Sequence, residues 1–271
     1  MINTNIDQCL LASASVTGRD HLKLGKNNQD ALAHWGRGDL LCAVVADGCG
    51  SSPHSETGAQ LGARLLCNAL ALKLGRGERF EHASLVLEEL RLEMLARLRP
   101  IALALAGSDD PRALAEAVRD HLLFTLVGAV LGPFGTLLFS IGDGALALEA
   151  SANRTIESLP LGPFAGNEPP YLGYALLHER AHGFADQALR FQIAAQRGTA
   201  CALALGTDGA LELFAGSPPV LLLNDPALFK NPDALRRKLW LLAQGKSVDA
   251  PALRDDTTLV LVRPIHPAIG A

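Results

Sequence analysis

The stretch Leu40 to Ser52, LLCAVVADGCGSS, restricts what this chain can fold into more than any other. Leu40 to Ala46 is an uninterrupted apolar run of strand length, so it reads as a strand buried on both faces. It leads directly into Asp47-Gly48, and small residues follow until Pro53. A carboxylate at the end of a buried strand is costly unless a cation or hydrogen-bond donors meet it. Three other aspartates share this setting: Asp208 follows CALALGT, Asp255 precedes TTLVLV, and Asp30 opens a strand. Few basic residues lie near these strands in sequence. Carboxylates converging without basic partners are the hard oxygen ligands that Mg2+ or Mn2+ takes. Two such ions about 4 Å apart can activate a water and clamp a phosphoryl oxygen. Gly48 and Gly209 suit a ligand's own carbonyl turned toward a metal, or a sharp turn. Any single Asp-Gly is by itself a turn signal, and Asp143-Gly144 inside GDGA suits a hairpin turn. The site is carried by the set.

The rest of the chain supplies elements around these aspartates. Cys9 to Val16 reads as a strand ended by Thr17-Gly18, Arg19 to Asn28 as a polar loop, and Asp30 to His34 as a second strand. Gly36 to Asp39 turns into the opening stretch. Ser55 to Leu74 is a helix whose Gly58, Ala59, Gly62 and Ala63 suit close packing on a sheet, and Gly75-Arg76-Gly77 ends it. Glu81 to Leu98 has helical spacing, Pro100 is expected to break it, and Asp110-Pro111 starts a further helix. Phe124 to Leu131, Thr136 to Ile141 and Ala145 to Ala150 are strands, continued by Asn153 to Ser158. Leu161 to Tyr171 is loop. Leu172 to Leu177, Leu189 to Ala194 and Ala200 to Leu205 are further strand candidates. Ala210 to Phe214 is a short helix, Pro218 to Pro232 irregular, Asp233 to Leu242 an amphipathic helix, and Thr257 to Val262 a last strand. This order favours antiparallel sheets covered by helices over alternating βα units.

Composition removes several classes. A net charge of −4 without any Lys/Arg block argues against nucleic acid as the main partner. Leu122 to Gly142 is uncharged and about long enough to span a bilayer. Gly132-Pro133-Phe134-Gly135 interrupts it midway, so two buried strands joined by a turn is the better reading, and no membrane is expected. The N-terminus shows no basic leader before its short apolar run, so no signal peptide is expected. Five cysteines without CxxC spacing fit reduced thiols in a cytoplasm. His178 and His182 lie four apart without a catalytic partner, and Ser51-Ser52 lacks a GxSxG frame.

Taken in order, NNQDA, VVADGCG, FTLVGAV…SIGDGAL, LGTDGALELF and RDDTTLVLV resemble the metal-dependent type 2C protein Ser/Thr phosphatases. The loop GRDHLKLGKNNQDA looks most like a bacterial branch of that family. The resemblance spans Val16 to Val262, so residues 1–271 are expected to form a single domain of this type. It implies an α+β fold, a four-layer α-β-β-α sandwich of two antiparallel sheets flanked by helices. It also implies two Mn2+ or Mg2+ ions, with Asp120 a candidate ligand for a third. Asp47 would bridge the two ions, the Gly48 carbonyl would bind one, and Asp208 and Asp255 would hold the other. Asp143 matches a central aspartate of the family, and Asp30 would act on the metal-bound waters.

One departure stands out. Many members place an arginine five residues before the first motif aspartate, where it grips the substrate phosphate; here that position is Gly25. The grip could move to Lys23, Lys26 or Arg19, or all three could be a solvated loop. His21 could serve as general acid to the leaving group, or simply sit at the surface or cap the loop. Asp256 stands where many relatives have Asn. The expected activity is hydrolysis of phosphoserine and phosphothreonine in proteins, opposing a Ser/Thr kinase. Two readings remain beside it. One is a non-catalytic phosphatase-like module that binds a phosphoprotein or regulates a kinase. The other is a hydrolase of a small phosphorylated metabolite. The segment Gly216 to Gly245 is expected to form a flap beside the cleft.

Overall fold

Strand β3, Leu40–Gly48, is buried along nearly its whole length because it packs on both faces. Leu41, Ala43 and Val45 point into one apolar core, and Cys42, Val44 and Ala46 point into another. The period-two alternation of a strand is therefore present, hidden by apolar residues on both sides. The computed structural model describes residues 9–149, 155–162, 164–178, 182–199, 201–246 and 252–265.

Two five-stranded antiparallel sheets face each other. One runs β1 (Cys9–Val16), β10 (Thr257–Pro264), β9 (Leu203–Gly206), β6 (Gly144–Glu149), β7 (Ile156–Leu161). The other runs β2 (Asp30–Arg37), β3, β4 (Phe124–Gly132), β5 (Gly135–Ile141), β8 (Gln192–Arg197). Between them lie Leu41, Val45, Val127, Leu131, Leu138, Leu146, Leu205 and Val260. Helices α2 (Ser55–Gly75), α3 (Ala83–Ala106) and α4 (Pro111–His121) cover the outside of the second sheet through Leu66, Leu70, Met94 and Val118. Helices α5 (Gly209–Gly216), α6 (Pro219–Asn224), α7 (Ala227–Lys230) and α8 (Ala234–Ala243) cover the first through Leu213, Leu222, Leu228 and Leu239. This is the expected four-layer α-β-β-α sandwich. The uncharged run from Leu122 is the hairpin β4–β5, turned at Pro133-Phe134, and no described helix is long and apolar enough to cross a membrane.

Several expectations need correction. Arg19 to Asn28 is not all loop: Arg19–Leu24 forms the short helix α1, whose Leu22 and Leu24 are exposed, so it shows no apolar period. Pro100 does not end α3. It lies on the solvent side while Leu90, Met94, Leu98 and Ala102 keep the buried stripe continuous across it. Leu172 to Leu177 is not a strand but a 3-10 turn over Leu172–Leu176. Pro218 to Pro232 is not irregular, since α6 and α7 occupy it, α6 with proline at its first turn. The strand expected over Leu189 to Ala194 lies at Gln192–Arg197, that over Ala200 to Leu205 at Leu203–Gly206, and that over Asn153 to Ser158 at Ile156–Leu161. Ala150, Asn153, Ala200 and the first eight residues lie outside the described residues.

Asp143-Gly144 is not a hairpin turn. β5 and β6 belong to different sheets, and Gly142-Asp143-Gly144 carries the chain from one to the other. Gly142 and Gly144 take φ of 83° and 143°, which a side chain would resist.

Candidate metal centre

The aspartates meet at one rim of the sandwich, where strands of both sheets begin or end. β2 and β3 are paired so that Asp30 and Asp47 face each other in the ladder. Like charges directly opposite in a sheet repel, so this pairing is unfavourable unless something lies between them. Asp208 caps the start of α5, just beyond β9. Asp255 lies just before β10, exposed, with its Oδ1 accepting from the Asp256 N–H at 2.8 Å.

Their mutual electrostatics show that they converge. Asp47 is held well above the ordinary carboxylate range, by burial first and then by the charges of Asp30, Asp208 and Asp143. Asp30 is likewise raised, by burial first and also by Asp256 and Asp208, although the Thr207 hydroxyl donates to it at 2.7 Å. Burial raises Asp208, and the Asp255 charge adds to it. Asp143 is pushed up to about 6 by burial and by Asp208. Its Oδ1 is buried without any hydrogen-bond partner. Among the described residues, no lysine or arginine forms an ion pair with Asp30, Asp47, Asp143, Asp208 or Asp255. Buried acceptors in this number need cations, and an orphaned buried carboxylate oxygen fits a metal ligand. The donor set, all oxygen, fits Mn2+ or Mg2+.

The glycines here allow close approach of backbones. A side chain on Gly48 would meet the Gln29 carbonyl at 2.7 Å, and one on Gly209 the Asp256 carbonyl at 2.1 Å. Neither takes a positive φ, so the sharp turn expected from sequence is not their role.

Other candidate residues fall into place unequally. Asp120 is exposed at the end of α4, where its carbonyl accepts from the His54 N–H at 3.0 Å; it is not among the carboxylates whose charges act on Asp47. His21 lies on α1, mostly buried, with Nδ1 2.9 Å from Asp256 Oδ2. His21, Asp255 and Asp256 bring one donor atom each within 4.8 Å of one another. Lys23 is neutralised by Asp20 at 2.9 Å, and the Arg19 guanidinium lies toward Gly245 at the end of α8. Lys26 Nζ donates to the Gly50 carbonyl at 2.9 Å.

Sequence reading missed the residue that ties this rim together. Asp256 is buried, and each of its oxygens accepts a backbone N–H: Gly18 to Oδ1 at 2.8 Å, Gln29 to Oδ2 at 2.6 Å. It thereby joins the end of β1, the start of β2 and the start of β10. Thr207 was also missed. Its hydroxyl accepts from the Thr258 N–H at 3.1 Å while donating to Asp30, a bridge between the two sheets. The available signal was the polar pair flanking each motif, Thr207-Asp208 and Asp255-Asp256.

The family model described as Protein phosphatase 2C matches residues 17–231. The chain belongs to the protein phosphatase 2C family. The Serine/threonine-protein phosphatase 3 of Escherichia coli (strain K12) is 30% identical over 267 residues, covering 93% of this chain and 96% of that protein. Among solved structures, the catalytic domain of the serine threonine protein phosphatase PstP in complex with two manganese ions matches with a TM-score of 0.57 at 16% identity, covering 96% of this chain and 99% of that one. PppA of Pseudomonas aeruginosa, described as a key regulatory component of T6SS, matches with a TM-score of 0.56 at 20% identity, covering 96% and 99%. At these identities the structural matches speak for the fold, and they agree on the two-sheet sandwich of this phosphatase family.

Proposed function

We propose that this phosphatase hydrolyses phosphoserine and phosphothreonine in proteins at a binuclear Mn2+ or Mg2+ centre. The observation that carries the reading is the cluster Asp30, Asp47, Asp143, Asp208 and Asp255, drawn from both sheets and, among the described residues, without an ion pair to lysine or arginine. The manganese complex of PstP and the name of the Escherichia coli relative support the metal and the substrate class.

In this reading Asp47 and the Gly48 carbonyl, with Asp208, Asp255 and Asp143, would hold the ions. When bound, the ions supply Lewis-acid charge and an activated water for in-line attack on phosphorus. The protein's residues do the rest. Asp30, fixed by Thr207, is placed to take a proton from the attacking water. His21, whose Nδ1 lies 2.9 Å from Asp256 Oδ2, would hand a proton to the departing serine or threonine oxygen. Asp120, exposed at the end of α4, would be the ligand for a third, loosely held ion. The opposing partner is then a Ser/Thr kinase. A cytoplasmic site of action fits the five free cysteines.

Phosphate release from a phosphothreonine peptide tests this. Release should need added Mn2+, stop in EDTA, and fall by roughly 10²–10⁴ in Asp47→Asn. Full turnover in EDTA by that variant would sink the reading.

A further inference from the structure

The site is strongly anionic. Asp30, Asp47, Asp143, Asp208, Asp255 and the buried Asp256 are six carboxylates, and when ionised they carry two more negative charges than two divalent ions cancel. A phosphate monoester arriving as a dianion therefore needs a further cation at the rim. The cations near this rim are Lys23 on α1, Arg19 at its start, Lys26 just after it, and Arg254 before β10. Lys23 Nζ and Arg254 Nε both bind Asp20, at 2.9 and 3.1 Å. The Arg19 guanidinium lies beside Gly245, just past the end of α8.

Lys26 differs. Its ammonium donates to a backbone carbonyl, that of Gly50, and among the described residues it pairs with no carboxylate. Its position is fixed by two independent devices. First, α1 ends in a Schellman motif: the Gly25 N–H donates to Leu22 O at 3.3 Å and the Lys26 N–H to His21 O at 3.0 Å. Gly25 there takes φ of 65°, a conformation an arginine would resist, so position 25 cannot carry the grip without strain. Second, the next residues run alongside the segment that follows Gly48. Asn27 Nδ2 donates to Glu56 at 3.0 Å, and Gln29 Nε2 donates to Ser52 O at 2.9 Å and Ser55 Oγ at 2.8 Å. Lys26 is the first tooth of this zipper, and it lies over Gly50, two residues beyond Gly48 and three beyond Asp47.

We infer that Lys26 is the residue that binds the phosphate of the substrate, a task that the end of α1 moves off position 25. This rests on the phosphatase reading above. Lysine meets phosphate as a mobile point charge with rotatable donors, without the fixed fork of arginine. Lys26 is exposed, so its replacement should leave the fold intact.

Steady-state kinetics on the Mn2+-loaded protein test the assignment, with p-nitrophenyl phosphate as substrate and inorganic phosphate as inhibitor. Lys26→Ala should raise KM and weaken phosphate inhibition together, each about tenfold, as expected for one charge-assisted hydrogen bond. Lys26→Arg should restore most of both. Mn2+ affinity by calorimetry should not move. Unchanged KM and inhibition in Lys26→Ala would overturn the assignment. So would the same change appearing in Lys23→Ala or Arg19→Ala instead, or a Lys26→Ala defect that tracks lost Mn2+ binding. If the wild-type protein hydrolyses nothing with Mn2+, the phosphatase reading fails, and phosphate binding to the Mn2+-loaded wild type and Lys26→Ala by calorimetry still decides the role of Lys26.

Discussion

Asp30 and Asp47 face each other across a ladder rung, with Asp208 and Asp143 beside them and no cationic side chain between. Metal-free, these groups favour the protonated state. Their folded pKa values lie above those of the unfolded chain, Asp143 reaching about 6. Such groups add stability below the unfolded value and lose it as pH rises through the folded one. In EDTA, Tm should therefore fall between roughly pH 5 and pH 7. Ions compete with those protons, so the rise in Tm on adding Mn2+ should grow over the same range. A Tm in EDTA that climbs through this window would contradict the cluster. Asp47→Asn removes one of the crowded charges. It should raise the metal-free Tm by roughly 2–4 °C while abolishing turnover, the usual opposition of stability and function at a site. Asp256 behaves differently, because both its oxygens accept backbone N–H groups. An asparagine would turn an NH2 toward one of those donors, so Asp256→Asn should cost about 1–3 kcal/mol in a denaturant titration. From sequence, the four outer aspartates were legible because each sits beside an apolar run. Asp256 showed only as the polar neighbour of Asp255, because accepting backbone N–H groups leaves no periodic pattern.

At the level of elements, legibility followed the apolar period. α2 was readable from its small stripe, and the reason is steric: a methyl on Gly62 would sit 2.3 Å from the Phe124 ring. Alanine is the better helix former by about 1 kcal/mol, but overpacking costs about 1–3 kcal/mol, so Gly62→Ala should lower stability on balance. α1 escaped notice because both its leucines are exposed and it has no apolar stripe. α3 ran past Pro100 because the stripe of Leu90, Met94, Leu98 and Ala102 stays in contact with the core, and the proline costs one backbone bond on the wet side. Pro100→Ala should therefore stabilise the protein, by about 1–3 kcal/mol in the same titration. Leu172–Leu176 was mistaken for a strand because an apolar run has no period to read. It is a turn pressed against Leu122, whose carbonyl would lie 2.0 Å from a side chain on Gly173.

Across the whole molecule, the centre joins the two sheets. Asp30 and Asp47 belong to β2 and β3, while Asp208 and Asp255 flank β9 and β10 of the other sheet. In the metal-free chain the links at this rim are few, the Thr207 hydroxyl on Asp30 and the Asp256 bonds to Gly18 and Gln29 among them. The sheet order could not be read from sequence, since it depends on the β5–β6 crossover at Gly142-Asp143-Gly144, which locally resembles a hairpin turn. The claim on which everything else depends is that these carboxylates hold divalent ions, and calorimetric titration of the metal-free protein with Mn2+ tests it most directly. About two ions per chain are expected for the wild type and fewer for Asp47→Asn. No uptake by the wild type, or the same stoichiometry and affinity in the variant, would contradict it.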